Sequence, residues 1–163
     1  MKRYLPFFLL LLSLSLLAQE GKKAPDFTLE NIDGDPVTLG ENTGSGPVVL
    51  SFWATWCKPC IEELPHLEKI YSELKEKGLK IFAISVDGEK TAAKVEPFAK
   101  TKGMQIPVLL DPNGDVARAF YAKDVPFTVL LNAAGEIVYT HSGYKLGDEL
   151  ELREKITALM EVK

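Results

Sequence analysis

The sequence predicts an α/β fold: a central mixed sheet flanked by helices, with a β-hairpin at its N-terminal side and an inserted αβ segment. Three observations carry this prediction. The run Pro47 to Trp53 is apolar on both faces, as a strand covered on both sides must be. A long amphipathic helical pattern follows, and then a second apolar run from Leu79 to Val86, so strand, helix and strand compose one βαβ unit. Later, Phe127 to Leu131 and Glu136 to His141 read as strands joined across the turn Asn132 to Gly135, which adds an antiparallel pair.

Taken in order, the chain opens with Lys2 and Arg3, then a nearly unbroken apolar run of thirteen residues from Leu5 to Leu17, ending at Ala18. This is the layout of a signal peptide over residues 1–18. The run is shorter than the ~20 residues of a membrane-spanning helix, and Pro6, Ser13 and Ser15 weaken it. An uncleaved membrane anchor is the alternative. A cut after Ala18 would follow a small residue, although Leu16 is larger than the side chain usually found two places earlier. No cysteine follows the run, so lipid attachment is not indicated. Residues 19–163 then have the size of one domain with a full core.

Within that domain, Phe27 to Leu29 and Pro36 to Leu39 flank Asp33-Gly34 and predict the hairpin. Gly40 to Gly46 reads as a loop. After Cys57, Ile61, Leu64, Leu67, Ile70, Tyr71 and Leu74 recur at three- and four-residue intervals, and Gly78 supplies the stop. Pro65 inside that helix removes a backbone hydrogen bond and predicts a kink. Thr91 to Lys102 predicts a helix disturbed by Pro97, Ile106 to Leu110 a short strand, and Val116 to Tyr121 one or two helical turns. Gly147 to Met160 predicts a closing amphipathic helix with Leu150, Ile156, Leu159 and Met160 toward the core.

The net charge is −4 at pH 7, and loss of Lys2 and Arg3 makes the remainder more acidic. No basic cluster could neutralise phosphates, so nucleic acid is not an expected partner. Only two cysteines occur, Cys57 and Cys60. A ring closed over so few residues is a poor structural staple. There is no second cysteine pair, and the two histidines, His66 and His141, lack ligand spacing, so no metal is expected.

Disulfide exchange requires a thiolate, access for the substrate sulfur, and a second thiol near enough to release the mixed disulfide. A cysteine at the first turn of a helix meets unpaired N–H groups and the positive end of the macrodipole, which lower its pKa. Cys57 is therefore the expected nucleophile, and Cys60, three residues along the same face and less accessible, the resolving thiol. Lys58 would add positive charge, or be an ordinary solvated lysine. Pro59 fixes a backbone angle at the helix start at no hydrogen-bond cost. The chemistry calls for no cofactor.

The segment Ser51-Phe52-Trp53-Ala54-Thr55-Trp56-Cys57-Lys58-Pro59-Cys60 resembles the active site of thioredoxin-like proteins. More narrowly, with Pro25-Asp26-Phe27, the chain is similar to the exported TlpA and ResA group of thiol-disulfide oxidoreductases from about Ala24 to the C-terminus. An inserted segment, here about residues 87–121, is also typical of that group. The resemblance implies that Pro126 is cis beside the redox pair, and that the Val125 backbone pairs with an extended substrate. A proline merely starting an edge strand is the alternative. It also implies a place near the cysteines for Glu63, which partial burial would fit for moving the Cys60 proton, against the plainer reading of a solvated glutamate. Ser51 stands where thioredoxin carries a buried aspartate, so proton handling must differ. Trp53 reads as core; Trp56 reads as an apolar platform that shields the thiolate and receives substrate. Pro65 is given a structural role, and His66 and His141 no catalytic part.

The implied function is reduction of disulfides in exported proteins, such as the haem-attachment cysteines of apocytochrome c. Electrons would come from a membrane thiol donor, and the protein would act as a monomer in the periplasm or another extracytoplasmic space. A disulfide oxidase or isomerase, a thiol peroxidase and a non-catalytic binding module are the competing readings.

Overall fold

The computed structural model describes residues 21–161, so the signal peptide expected over residues 1–18 lies outside the described residues. The described residues form eight strands and four α-helices, with four strands before the first helix. Strands β1 (Lys22–Lys23), β4 (Val48–Trp53), β5 (Lys80–Ser85), β6 (Val108–Leu110), β7 (Phe127–Leu131) and β8 (Glu136–Ser142) form one sheet in the order β1-β8-β7-β4-β5-β6. β4, β5 and β6 are parallel, whereas β7 and β8 run against them, so the sheet is mixed. β2 (Thr28–Glu30) and β3 (Pro36–Thr38) make a separate hairpin. Its turn is held by the Asn31 side-chain oxygen, which accepts from the Asp33 and Asp35 amides, each at 2.9 Å.

Alternation along the strands sorts side chains into two layers. Val49, Trp53, Ile81, Ala83 and Leu130 face α1 (Lys58–Leu74), α2 (Val95–Lys102) and α4 (Asp148–Glu161). Val48, Leu50, Phe52, Ile84 and Val129 face the hairpin and α3 (Asp115–Ala119). All six residues of β4 are buried, which explains why both of its faces are apolar in the sequence.

α1 continues through Pro65 and passes into a 3-10 turn at Lys75–Lys77, closed by Gly78 at φ 103°. There the chain folds back so closely that a Cβ on Gly46 would lie 2.4 Å from the Gly78 carbonyl oxygen, which leaves room only for glycine. Pro97 falls in the first turn of α2, where a missing N–H costs nothing, so that helix is regular, with a 3-10 turn at Ala92–Lys94 before it.

Two expectations are corrected. Leu150 is 66% exposed, and Leu152 takes the inward position with Ile156. The strand expected from Ile106 begins at Val108, because Pro107 has no N–H to give a ladder. Lys22 and Lys23, for which the sequence carries no expectation, pair with Ile137 and Glu136 on β8.

Candidate active site

β4 delivers the chain to the site, and α1 begins immediately after it. Cys57 is the N-cap residue of α1: its sulfur accepts from the Cys60 amide at 3.3 Å, where a serine or aspartate oxygen would otherwise sit. Lys58 and Pro59 occupy the first turn, exposed to solvent. Cys57 and Cys60 are joined as a disulfide, with sulfurs 2.05 Å apart. Cys57 is 5% exposed and Cys60 fully buried, so the outer sulfur is the one an incoming group can reach.

The loop before the pair is fixed from β5. Asp87, buried just past the end of that strand, accepts from the Thr55 amide and the Thr55 hydroxyl, each at 2.7 Å, and from the Ser85 hydroxyl at 2.9 Å. Trp56 then projects outward, 63% exposed, while Trp53 is completely buried against Phe98. The Val125–Pro126 peptide is cis, and the Val125 carbonyl oxygen lies 3.6 Å from the Cys57 sulfur.

Glu63 is 4% exposed, one turn beyond Cys60 on α1. Its carboxylate accepts from the Thr128 hydroxyl at 3.1 Å and from Ser51 at the long limit of 3.5 Å. Burial pushes its pKa from 4.5 up to about 7; the two hydroxyls pull it down, and the charges of Asp148 and Glu149 add to the rise. The carboxyl is thus poised to take or give a proton near neutrality.

The site therefore brings together Trp56, Cys57, Lys58, Pro59, Cys60, Val125 and Pro126 at the strand-to-helix turn, with Glu63 behind them. Sequence reasoning missed Asp87, and it missed the polar groups around Glu63, namely Thr128, His141, Asp148 and Glu149. The only local signal for them was parity, since Thr128 and His141 are inward positions on their strands. Among the described residues, no group of three or more His, Cys, Asp or Glu could hold a metal ion, and no helix is long and apolar enough to cross a membrane.

Residues 20–140 match the AhpC/TSA family. The chain is 39% identical over 127 residues to the thiol-disulfide oxidoreductase ResA of Halalkalibacterium halodurans, covering 78% of this chain and 70% of that protein. It is 38% identical to ResA of Bacillus subtilis, covering 76% and 68%. Among solved structures, a protein described as a thiol:disulfide interchange protein DsbE from Chlorobium tepidum superposes with a TM-score of 0.80 at 31% identity, over 86% of this chain and 97% of that one. With the cysteine pair seated at the N-terminus of α1 on a thioredoxin-like sheet, the chain belongs to the AhpC/TSA family and is a ResA-like thiol-disulfide oxidoreductase.

Proposed function

We propose that the protein works as a reductase of disulfides in exported proteins, outside the cytoplasm, its leader at residues 1–18 either removed or kept as an anchor. The observation that carries this reading is the position of Cys57, capping α1 with the Val125 carbonyl 3.6 Å from its sulfur. The helix N-terminus stabilises a thiolate there, and Val125 offers a backbone acceptor to an extended client segment. Lys58 supports the charge, Pro59 holds the turn, and Trp56 gives the client an apolar surface to lie on.

In the reaction, the Cys57 thiolate attacks one client sulfur, and the other leaves as a thiolate. Cys60 gives its proton to the Glu63 carboxylate, then attacks the Cys57 sulfur, forming the internal disulfide and releasing the client. The enzyme dithiol loses two electrons and the client disulfide gains them. A membrane thiol donor would restore the dithiol.

Reduction is favoured over oxidation by the surroundings of Cys60. A buried thiol beside an ionisable carboxyl receives no stabilisation as a thiolate, and withholding stabilisation from the ionised reduced form keeps the potential low. Equilibration with glutathione or dithiothreitol tests this. A midpoint near about −270 mV supports the reductase, whereas one between about −180 and −120 mV reassigns the protein to isomerase or oxidase work. Peroxidase activity is disfavoured because the Pro-x-x-x-Thr-x-x-Cys pattern would need proline and threonine where Leu50 and Ala54 stand. The client is to be identified by trapping on a Cys60→Ser variant in cells; apocytochrome c is the client class to which the family resemblance points.

A further inference from the structure

Glu63 can accept the Cys60 proton only once it is itself ionised, and a carboxyl that is 4% exposed, with its pKa raised to about 7, must first shed to solvent any proton it holds. The sheet register shows where it can go. Ser51 pairs with Thr128 across β4 and β7, and Thr128 pairs with His141 across β7 and β8. Directly paired residues share a face, so two hydroxyls and an imidazole form a row toward the outer part of the sheet, beneath α1 and α4. β1 covers β8 only at residues 136 and 137, which leaves the His141 end uncovered by it. A cavity of about 10 Å³, room for about one water molecule, is lined by Glu63, Thr128, Tyr139, His141, Asp148 and Glu149, with Leu152 closing it.

We propose that His141, held by Asp148, is the port through which Glu63 exchanges its proton with solvent, across this cavity, which neither cysteine lines. The inference rests on the proposed role of Glu63 as acceptor of the Cys60 proton. A water in the cavity takes the proton from the Glu63 carboxyl and passes one to the imidazole nitrogen that is not hydrogen-bonded to Asp148, and the partly exposed ring hands a proton on to solvent; no bond other than O–H and N–H changes.

The groups facing Glu63 divide the work. His141 Nε2 lies 3.0 Å from Asp148 Oδ2, and the imidazole stacks on Tyr139 with the rings 4° from parallel. Asp148 is held below the usual carboxylate range chiefly by the Lys145 amide, at 2.7 Å. Glu149, although burial would raise it, is held low by amides including that of Gly147, by the Tyr144 hydroxyl at 2.9 Å and by His66. Both carboxylates stay ionised and decline the proton, and burial moves Tyr139 and Tyr144 upward, out of the working range. His66 Nδ1 pairs with Glu149 at 3.5 Å but does not line the cavity, and Lys145 is exposed beyond Asp148. Of the partly exposed polar groups lining the cavity, His141 is the one that is neither an ionised carboxylate nor a phenol, which leaves its ring nitrogen as the base to pass the proton on.

The test uses the reduced protein and an aromatic disulfide whose leaving thiolate is coloured. The first equivalent of colour reports the attack by Cys57 and the second the resolution by Cys60. In His141→Ala, the first phase should be unchanged and the second slowed about tenfold near pH 7. Added imidazole should restore it in proportion to the unprotonated base. His141→Gln, which keeps a hydrogen bond to Asp148, should be equally slow, and it carries the test if the alanine variant folds poorly. His66→Gln should match the parent. An unchanged second phase in both His141 variants, or a slowed one that imidazole does not restore, overturns the port. Glu63→Gln, run in parallel, separates the two ideas: if it slows resolution while His141→Ala does not, only the port fails, and if it is itself unchanged, the role of Glu63 fails with it.

Discussion

Asp87 holds Thr55 by both its backbone amide and its hydroxyl, each at 2.7 Å, two residues before the outer cysteine. A carboxylate buried at the end of one strand thereby fixes the loop that leaves the neighbouring strand. Asp87→Ala strands three donors, those of Thr55 and the Ser85 hydroxyl, and should cost about 2–4 kcal/mol in urea denaturation. Asp87→Asn keeps an acceptor and should cost less, while both variants should slow disulfide exchange because Cys57 loses its fixed approach.

Glu63 gives a stability that falls as pH rises. Below its ordinary value of 4.5 the carboxyl is protonated both folded and unfolded, and no penalty exists. Between 4.5 and about 7 the unfolded chain ionises while the folded one still holds its proton, so stability declines. The loss, complete above about pH 7, amounts to about 3 kcal/mol. Glu63→Gln should abolish it: the variant should match the parent near pH 4 and exceed it near pH 8, measured on the oxidised protein, in which the sulfurs do not titrate.

The two tryptophans should respond in opposite ways. Trp53→Ala empties a fully buried site and should cost about 3–5 kcal/mol. Trp56→Ala removes an exposed ring and should change stability by no more than about 0.5 kcal/mol, while lowering kcat/KM for a protein disulfide. Denaturation curves and insulin reduction together check both.

The cysteines should separate the two halves of the exchange. Cys57→Ser should show no turnover above background. Cys60→Ser should still be attacked at Cys57 and should accumulate a mixed disulfide, visible as a mass increase that dithiothreitol reverses.

Much of this architecture was legible where one residue's neighbours are set by local period. β4, α1 and the cysteine turn between them follow from a buried run, a helical repeat and the N-terminal position of Cys57. Leu150 misled because it lies in the first turn of the last helix beside genuine core positions; Leu152 and Ile156, four apart, define the buried face, and Leu150 falls off it. Lys22 and Lys23 carry no apolar signal because their pairing is made by backbone alone. The surroundings of Glu63 were hidden for a different reason. Ser51, Thr128 and His141 become neighbours only through the pairing of three strands, and no local spacing encodes that register.

The hairpin and α3 form the roof over the second side of the sheet, where Phe27 and Phe120 meet edge to face and Phe120 rests on Phe52. Trimming the chain toward a smaller redox module would therefore strip the cover from a wall of leucine, valine and phenylalanine. Such a fragment would keep its sulfurs and lose its solubility, so the segments that look like additions to the catalytic unit are half of what lets it exist in water.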